Sequence, residues 1–187
     1  MRKIPARTAA AVAALFLVAG ATAALAGAAT VRTRGGVEFS PNEYVRDTVR
    51  FVPGPITVRP NARVTWIDAD RSEEPHTVTI VRRREQPDTL RELFQCRVCQ
   101  LAGAHLADPN DPNSDVARVR VNVGAPGLNT RGDSLFLAPG GRISARVTRR
   151  AGSTLYYLCA IHPWMQGSIH VARAARRTGA ALTGRHP

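Results

Sequence analysis

The chain consists of short apolar runs separated by turn residues, and this pattern limits what it can fold into. From Val37 onward, runs rich in Val, Ile, Thr and Tyr alternate with Gly, Pro and Asn, and only residues 88–101 have the length of a helix. Many short strands joined by turns predict an all-β fold, an antiparallel β-sandwich. The predicted strands are residues 48–52, 56–58, 63–67, 77–81, 118–123, 134–137, 142–148, 154–159 and 167–171.

Residues 1–26 have the features of a secretory signal peptide. A positively charged start, an apolar run over residues 9–25 and an A-x-A sequence at 24–26 predict cleavage after Ala26. The alternative is an uncleaved membrane anchor, since residues 9–29 are just long enough to span a bilayer. With cleavage, we expect a protein that is secreted, periplasmic or held in the cell envelope.

The 187 residues allow one domain of ordinary size with its own core. After the signal segment we expect a polar linker over 27–36, the folded domain over 37–172 and a disordered basic tail over 173–187. An insert of about residues 83–129 separates two predicted strands and is longer than an ordinary connection. Loops of this length often carry function, so we expect the insert to cover the functional site or to contact a partner.

Four potential metal ligands stand out. His76 lies in E-P-H-T-V-T-I, and Cys159, His162 and Met165 lie within seven residues of one another. One thiolate, two imidazoles and a weak thioether form the donor set of a mononuclear blue-copper centre. Zinc is the competing metal, but it takes four firm ligands, and a Met thioether is a poor fourth. The donor set therefore favours one copper ion.

Each of these residues also has an ordinary structural interpretation. Cys159 can be a buried thiol, His162 a histidine in a surface turn, His76 a histidine at the start of a strand, and Met165 a core side chain. Metal ligation is favoured, because an exported protein rarely keeps a free cysteine and this one is followed by His and Met at ligand spacing.

The segment C-A-I-H-P-W-M at 159–165 resembles the copper-binding loop of cupredoxins, and its short C-x-x-H-x-x-M spacing is closest to that of amicyanin. Residues 48–70, followed by E-P-H-T-V-T-I, resemble the first strands and the N-terminal histidine ligand of that family. The resemblance covers about residues 37–172, interrupted by the insert, and its C-terminal motif is the more specific part.

The resemblance implies a cupredoxin-like Greek-key β-sandwich that binds one type 1 copper ion. It also implies that His76, Cys159 and His162 are the equatorial ligands and that Met165 is the axial ligand. Thr77 follows the first ligand, where amicyanin-like proteins often carry Asn.

Cys96 and Cys99 have three possible roles. A disulfide within the insert is favoured, given the expected export. A redox motif of the thioredoxin type needs a βαβ context, which the sequence does not have. A second metal site with His105 is the remaining alternative. Haem attachment is excluded, because Gln100 stands where that motif has histidine.

The formal net charge is +12, which suits an acidic redox partner or an anionic cell-envelope surface. The alternative is that the many arginines reflect only the amino-acid usage of the source genome. The arginines are scattered and no nucleic-acid-binding motif accompanies them, so we expect no nucleic acid partner. We expect a monomer that meets its redox partner through the face of His162, with Pro163 and Trp164 around it. Trp164 can alternatively pack in the core against Trp66 or Leu158.

The sequence thus predicts a secreted type 1 copper protein that carries single electrons through the Cu(II)/Cu(I) couple, and not an enzyme. The alternative is a copper carrier of the cell envelope without an electron-transfer role. Such carriers are often rich in Met, whereas this chain has only Met1 and Met165.

Overall fold

The computed structural model describes residues 26–105 and 118–173. Short strands dominate it, with one α-helix, α1 (Leu90–Phe94), and two 3-10 helices, Arg83–Glu85 and Arg97–His105. The strands are β1 (Ala26–Arg34), β2 (Val37–Ser40), β3 (Tyr44–Asp47), β4 (Arg50–Val52), β5 (Pro55–Ile67), β6 (His76–Val81), β7 (Arg120–Val121), β8 (Ser134–Leu137), β9 (Arg142–Arg146), β10 (Thr154–Leu158) and β11 (Gln166–Val171).

The long strand β5 joins the two layers of the fold. Its first residues pair in parallel with β11, whose other neighbours follow in the order β10, β6, β8 and β7. Its last residues pair with β9 and β1 in the second layer. Between the two halves lies Asn61 with φ 59°, a left-handed conformation that Asn tolerates better than most residues. The predicted β-sandwich is confirmed.

Aromatic residues from both layers meet in the core. Trp66 of β5 lies edge-on to Tyr157 of β10 with ring centroids 5.9 Å apart, and Phe51 of β4 lies 5.1 Å from Tyr157. All three are buried. On β5, Ala62, Val64 and Trp66 alternate with more exposed residues, as expected for a strand with one face toward a core.

Two features of the sequence prediction were wrong. The segment predicted as a linker, residues 27–36, is mostly strand β1, because Val31 and Thr33 are buried and alternate with exposed arginines. The ladders of β1 with β5 and of β11 with β5 are parallel, so the sandwich is mixed and not purely antiparallel. The hairpin of β2 and β3 was also missed, since its apolar side chains are exposed and bury no face.

The described part of the insert lies against the outside of β6 and β10. The predicted helix over 88–101 is instead α1 followed by the 3-10 helix Arg97–His105. Val98 of the insert packs with Val81, Leu158 and Ala160 in a small cluster separate from the main core. The insert therefore reaches the end of the sandwich where β10 ends.

The predictions for residues 1–25 and 174–187 lie outside the described residues. The signal peptide, its cleavage site and the disordered tail thus stay predictions. Among the described residues, no helix is long and apolar enough to cross a membrane.

Candidate metal centre

The loop between β10 and β11, residues 159–165, is held in shape by its own backbone. The N–H of Cys159 donates to the carbonyl of Met165 at 2.9 Å, and the N–H of Met165 donates to the carbonyl of His162 at 2.8 Å. The strands on either side pair in register, with Leu158 opposite Gln166. Three potential ligands are therefore fixed within one tight turn at the end of the sandwich.

His76 reaches the same place from a neighbouring strand. It is the first residue of β6, which pairs antiparallel with β10 through Thr79 and Leu158. The backbone N–H of Thr77 donates to the sulfur of Cys159 at 3.3 Å, and the Thr77 hydroxyl accepts from the N–H of Ala160 at 2.7 Å. The start of β6 and the start of the loop are thus joined by two hydrogen bonds, one of which is to the sulfur of Cys159.

The three donor atoms of His76, Cys159 and His162 surround one buried point. The two Nδ1 atoms lie 3.2 Å apart, and the Cys159 Sγ lies 3.9 Å from Nδ1 of His76 and 3.7 Å from Nδ1 of His162. The circle through these atoms has a radius of about 2.1 Å, close to the metal–nitrogen and metal–sulfur bond lengths of about 2.0–2.3 Å. The triangle fits one transition-metal ion.

Hydrogen bonds stabilise the sulfur of Cys159 as a thiolate. Burial raises the pKa of this thiol, but hydrogen bonds from His162 and His76 and from the backbone N–H groups of Thr77 and His162 outweigh burial and lower the pKa to about 6. The N–H of His162 donates to Sγ at 3.3 Å. A thiolate is the form of cysteine that binds a metal, so the lowered pKa favours metal binding by Cys159.

The outer nitrogens of both imidazoles face carboxylates. His76 Nε2 lies 2.8 Å from Oδ2 of Asp70, and His162 Nε2 lies 2.7 Å from Oε2 of Glu74. A carboxylate partner keeps the proton on Nε2 and makes Nδ1 the nitrogen that can bind a metal. When a metal replaces the protons that the Nδ1 atoms share with the thiolate, two imidazole nitrogens and one thiolate surround it.

The charges around the imidazoles also shift their pKa values. Burial lowers the pKa of His76, but the Cys159 thiolate and Asp70 outweigh burial and raise it. Burial and His76 lower the pKa of His162, but Cys159 and Glu74 raise it overall. Burial raises the pKa of Asp70, and hydrogen bonds from Ser72 and Thr33 bring it well below its ordinary value. The negative charge of the site therefore attracts a cation to its centre.

Met165 lies in the same buried cluster as Cys159 and is fully buried. Its backbone is hydrogen-bonded to Cys159 and His162, the two potential ligands that precede it in the loop. The structure thus brings His76, Cys159 and His162 together and places Met165 beside them. Its role as an axial ligand stays a prediction.

The two cysteines of the insert have a different role from that of Cys159. Cys96 and Cys99 form a disulfide, as predicted. His105 is buried, and its two ring nitrogens contact the carbonyl of Arg118 and, at 2.7 Å, the hydroxyl of Ser134. Within the described ranges, His105 therefore does not join the cysteines in a second metal site.

Trp164 lies on the surface next to the site. Its side chain is 41% exposed, and its ring centroid is 5.3 Å from that of His162 in an edge-on arrangement. His162 itself is 7% exposed. Of the two interpretations of Trp164, the structure favours an apolar rim beside His162 over packing in the core.

Sequence reasoning missed the carboxylates. Asp68, Asp70 and Glu74 all lie in the nine residues before His76, in a chain where Arg greatly outnumbers acids. That local excess of acids, directly before a potential ligand, was the available signal. Their contacts depend on how the connection from β5 to β6 bends back, and this path has no pattern in the sequence.

The chain is thus a β-sandwich that gathers one cysteine and two histidines at one end. No family model and no curated protein matches the chain.

Three solved structures are among those similar to the chain. Reduced auracyanin from Roseiflexus castenholzii is 18% identical with a TM-score of 0.44, over 80% of this chain and 100% of that one. A purple cupredoxin from Nitrosopumilus maritimus is 17% identical with a TM-score of 0.39, over 77% of this chain and 99% of that one. A mutant fern plastocyanin is 19% identical with a TM-score of 0.37, over 76% and 98%. At this distance the similarity says nothing about what this chain binds, which depends on its own donor atoms.

Proposed function

We propose that the protein is a secreted type 1 copper protein that transfers single electrons. One observation carries the proposal: the Sγ of Cys159 and the Nδ1 atoms of His76 and His162 surround a point about 2.1 Å from each. The atoms are buried and come from the start of β6 and from the loop after β10, so the fold sets their positions before a metal binds.

The donors select the metal. Two imidazoles and a thiolate with a weak thioether suit copper in both of its common oxidation states. Copper, when bound, supplies a one-electron couple between Cu(II) and Cu(I). Cys159 provides the thiolate, the two histidines fix the plane, and Met165 is proposed as the weak axial donor.

The protein keeps this geometry nearly constant. The hydrogen bonds from Thr77 and His162 hold the sulfur, and the backbone bonds between Cys159, His162 and Met165 hold the loop. A site that cannot relax far on gaining or losing an electron needs little reorganisation. Cys159 and His76 are fully buried, which denies a substrate access and supports a carrier over an enzyme.

We propose that electrons enter or leave beside His162, through the rim that Trp164 forms. The exposed part of Trp164 and the neighbouring Ile161, 40% exposed, give a small apolar surface. Small interfaces suit redox partners that must separate quickly. The net charge of +12 favours an acidic partner or an anionic cell-envelope surface.

The visible absorption spectrum of the protein after addition of Cu(II) tests the proposal. We expect an intense band from charge transfer between thiolate and copper that disappears when ascorbate reduces the metal. Cys159→Ser should abolish the band completely, because the serine hydroxyl is not a soft donor. The double variant Cys96→Ala with Cys99→Ala, which removes the other sulfurs, should keep it.

A protein that binds copper without the band, or that binds zinc in preference, contradicts the electron-transfer role. Copper bound without colour would instead favour the carrier alternative.

A further inference from the structure

The connection from β5 to β6 places two carboxylates against the histidines of the candidate metal centre. It places Asp70 against the outer nitrogen of His76 at 2.8 Å and Glu74 against the outer nitrogen of His162 at 2.7 Å. Each imidazole therefore lies between the centre on its Nδ1 side and a carboxylate on its Nε2 side. Both histidines have this arrangement, although they come from separate parts of the chain.

The connection has an internal structure that fixes these carboxylates. Oδ1 of Asp70 accepts from the backbone N–H and the hydroxyl of Ser72 at 2.8 and 2.6 Å, which leaves Oδ2 for His76. The same Ser72 hydroxyl accepts from the backbone N–H of Glu74 at 3.3 Å. One serine thus links the residue that contacts His76 to the residue that contacts His162.

Asp68 holds the start of the connection. Its Oδ1 accepts from the hydroxyl of Thr33 at 2.5 Å, and its Oδ2 accepts from the N–H of Gly140 at 2.6 Å. The Thr33 hydroxyl in turn accepts from the N–H of Ala69. These bonds tie the connection to β1 and to the turn before β9, so the carboxylates are fixed by the sandwich.

The two carboxylates differ in their exposure. The side chain of Asp70 is 0% exposed, whereas that of Glu74 is 47% exposed. Asp70 is therefore part of the buried structure, and Glu74 lies at the boundary with solvent, on the side of the centre where His162 is nearest the surface. Changing Glu74 should alter the site without unfolding the protein.

We propose that Asp70 and Glu74 are positioning residues of the metal centre, which hold both imidazoles with Nδ1 toward the metal and increase their electron donation to it. A carboxylate on the outer nitrogen raises the basicity of a histidine ligand. More basic ligands and nearby negative charge stabilise Cu(II) more than Cu(I), so the pair lowers the reduction potential. The part that concerns the potential rests on the proposed copper function.

Glu74 has a matched control in its neighbour Glu73, which is exposed. Glu74→Gln removes the charge but keeps an oxygen that can accept from Nε2–H, whereas Glu74→Ala removes both. Glu73→Gln makes the same change of charge one residue away. Comparing the three variants separates the hydrogen bond from the charge and both from the net charge of the region.

The first measurement uses the protein loaded with Zn(II), which is diamagnetic and needs no redox activity. Nuclear magnetic resonance should show two slowly exchanging Nε2–H protons, one from each histidine. Glu74→Ala should make the proton of His162 exchange rapidly and leave that of His76 unchanged. It should also weaken Zn(II) binding by about 10–100-fold, measured by competition with a coloured chelator.

The second measurement is the reduction potential of the copper-loaded protein. Both Glu74 variants should raise it, while Glu73→Gln should leave it close to the wild-type value. Equal shifts from Glu73→Gln and Glu74→Gln would overturn the proposal, because a general effect of charge would then explain both. A protected His162 proton and unchanged Zn(II) affinity in Glu74→Ala would also overturn it.

Asp70→Asn tests the buried partner in the same way. It should affect the Nε2–H of His76 and not that of His162, and thermal unfolding of the variant shows whether the protein is still folded. If copper gives no thiolate band, the proposed function fails while the Zn(II) measurements still decide the positioning role.

Discussion

The loop of residues 159–165 and the insert of residues 83–129 both contain cysteine, but the cysteine of the loop is a free thiol and those of the insert form a disulfide. In the loop, Cys159 is buried and free, with hydrogen bonds directed at its sulfur. In the insert, Cys96 and Cys99 are closed into a disulfide beside the exposed side chain of Phe94. The surroundings of Cys159 therefore depend on contacts within the sandwich, whereas the disulfide of the insert joins two residues that are close in the chain.

The two regions are nonetheless connected by glutamine side chains. The amide of Gln86, at the start of the insert, donates to the carbonyls of Tyr157 and Gly167 at 2.9 and 3.1 Å. The amide of Gln166 donates to the carbonyls of Pro87 and Pro163 at 2.6 and 3.1 Å. The described part of the insert thus holds the strands on both sides of the loop and contributes no residue to the cluster of His76, Cys159 and His162.

The largest difference between the regions should appear at two glycines. A Cβ on Gly167 of β11 would lie 2.3 Å from the Tyr157 ring and 2.7 Å from the carbonyl of Gly54, whereas a Cβ on Gly103 of the insert meets nothing within 4 Å. Gly167→Ala should lower the free energy of unfolding by about 3 kcal/mol through overpacking. Gly103→Ala should change it by less than about 1 kcal/mol, in the stabilising direction. Urea denaturation of both variants measures the difference, and equal effects would show that the hairpin around the loop is not tightly packed.

A smaller effect on stability should follow from removing the Gln86 side chain, which connects the insert to the strands around the loop. Gln86→Ala leaves the carbonyls of Tyr157 and Gly167 without this donor, which should cost about 2 kcal/mol of unfolding free energy. Gln100→Ala, at an exposed position of the same insert, is the control and should change stability by less than about 0.5 kcal/mol. If the two variants unfold at the same urea concentration, the insert does not support the strands.

The smallest effect should come from the disulfide. Cys96→Ala with Cys99→Ala opens a link between residues three apart, and the short loop limits the lost stabilisation to about 2 kcal/mol or less. The absorption spectrum of the copper-loaded protein should not change, since neither sulfur belongs to the centre. A shifted or weakened band would mean that the local structure of the insert sets the geometry of the ligands.

The sequence predicted those parts of the molecule that depend on near neighbours in the chain. His162 and Met165 follow Cys159 at fixed spacing, so their grouping did not require the fold to be known. His76 was found because E-P-H-T-V-T-I resembles the segment of cupredoxins that carries the N-terminal histidine ligand, and in the structure His76 begins β6. The predicted and observed bounds agree for β8, and they differ by one residue for β6, β10 and β11.

The parts of the structure that the sequence did not predict depend on contacts between residues far apart in the chain. Strand β1 is rich in Ala and Gly and is stabilised by pairing with β5, which no local pattern shows. The contacts of Asp70 and Glu74 with the histidines likewise follow from the bend of one connection. The bent strand β5 was predicted as two separate strands, because Pro60 and Asn61 are typical of turns.

The short separation of Cys96 and Cys99 has a consequence for how the chain matures. Three cysteines can form three different single disulfides in an oxidising medium, and two of these would include Cys159. Loop closure costs more entropy as the loop grows, and Cys159 lies about sixty residues from either partner. In the unfolded chain the neighbouring pair therefore meets far more often, which favours the Cys96–Cys99 disulfide and leaves the Cys159 thiol free.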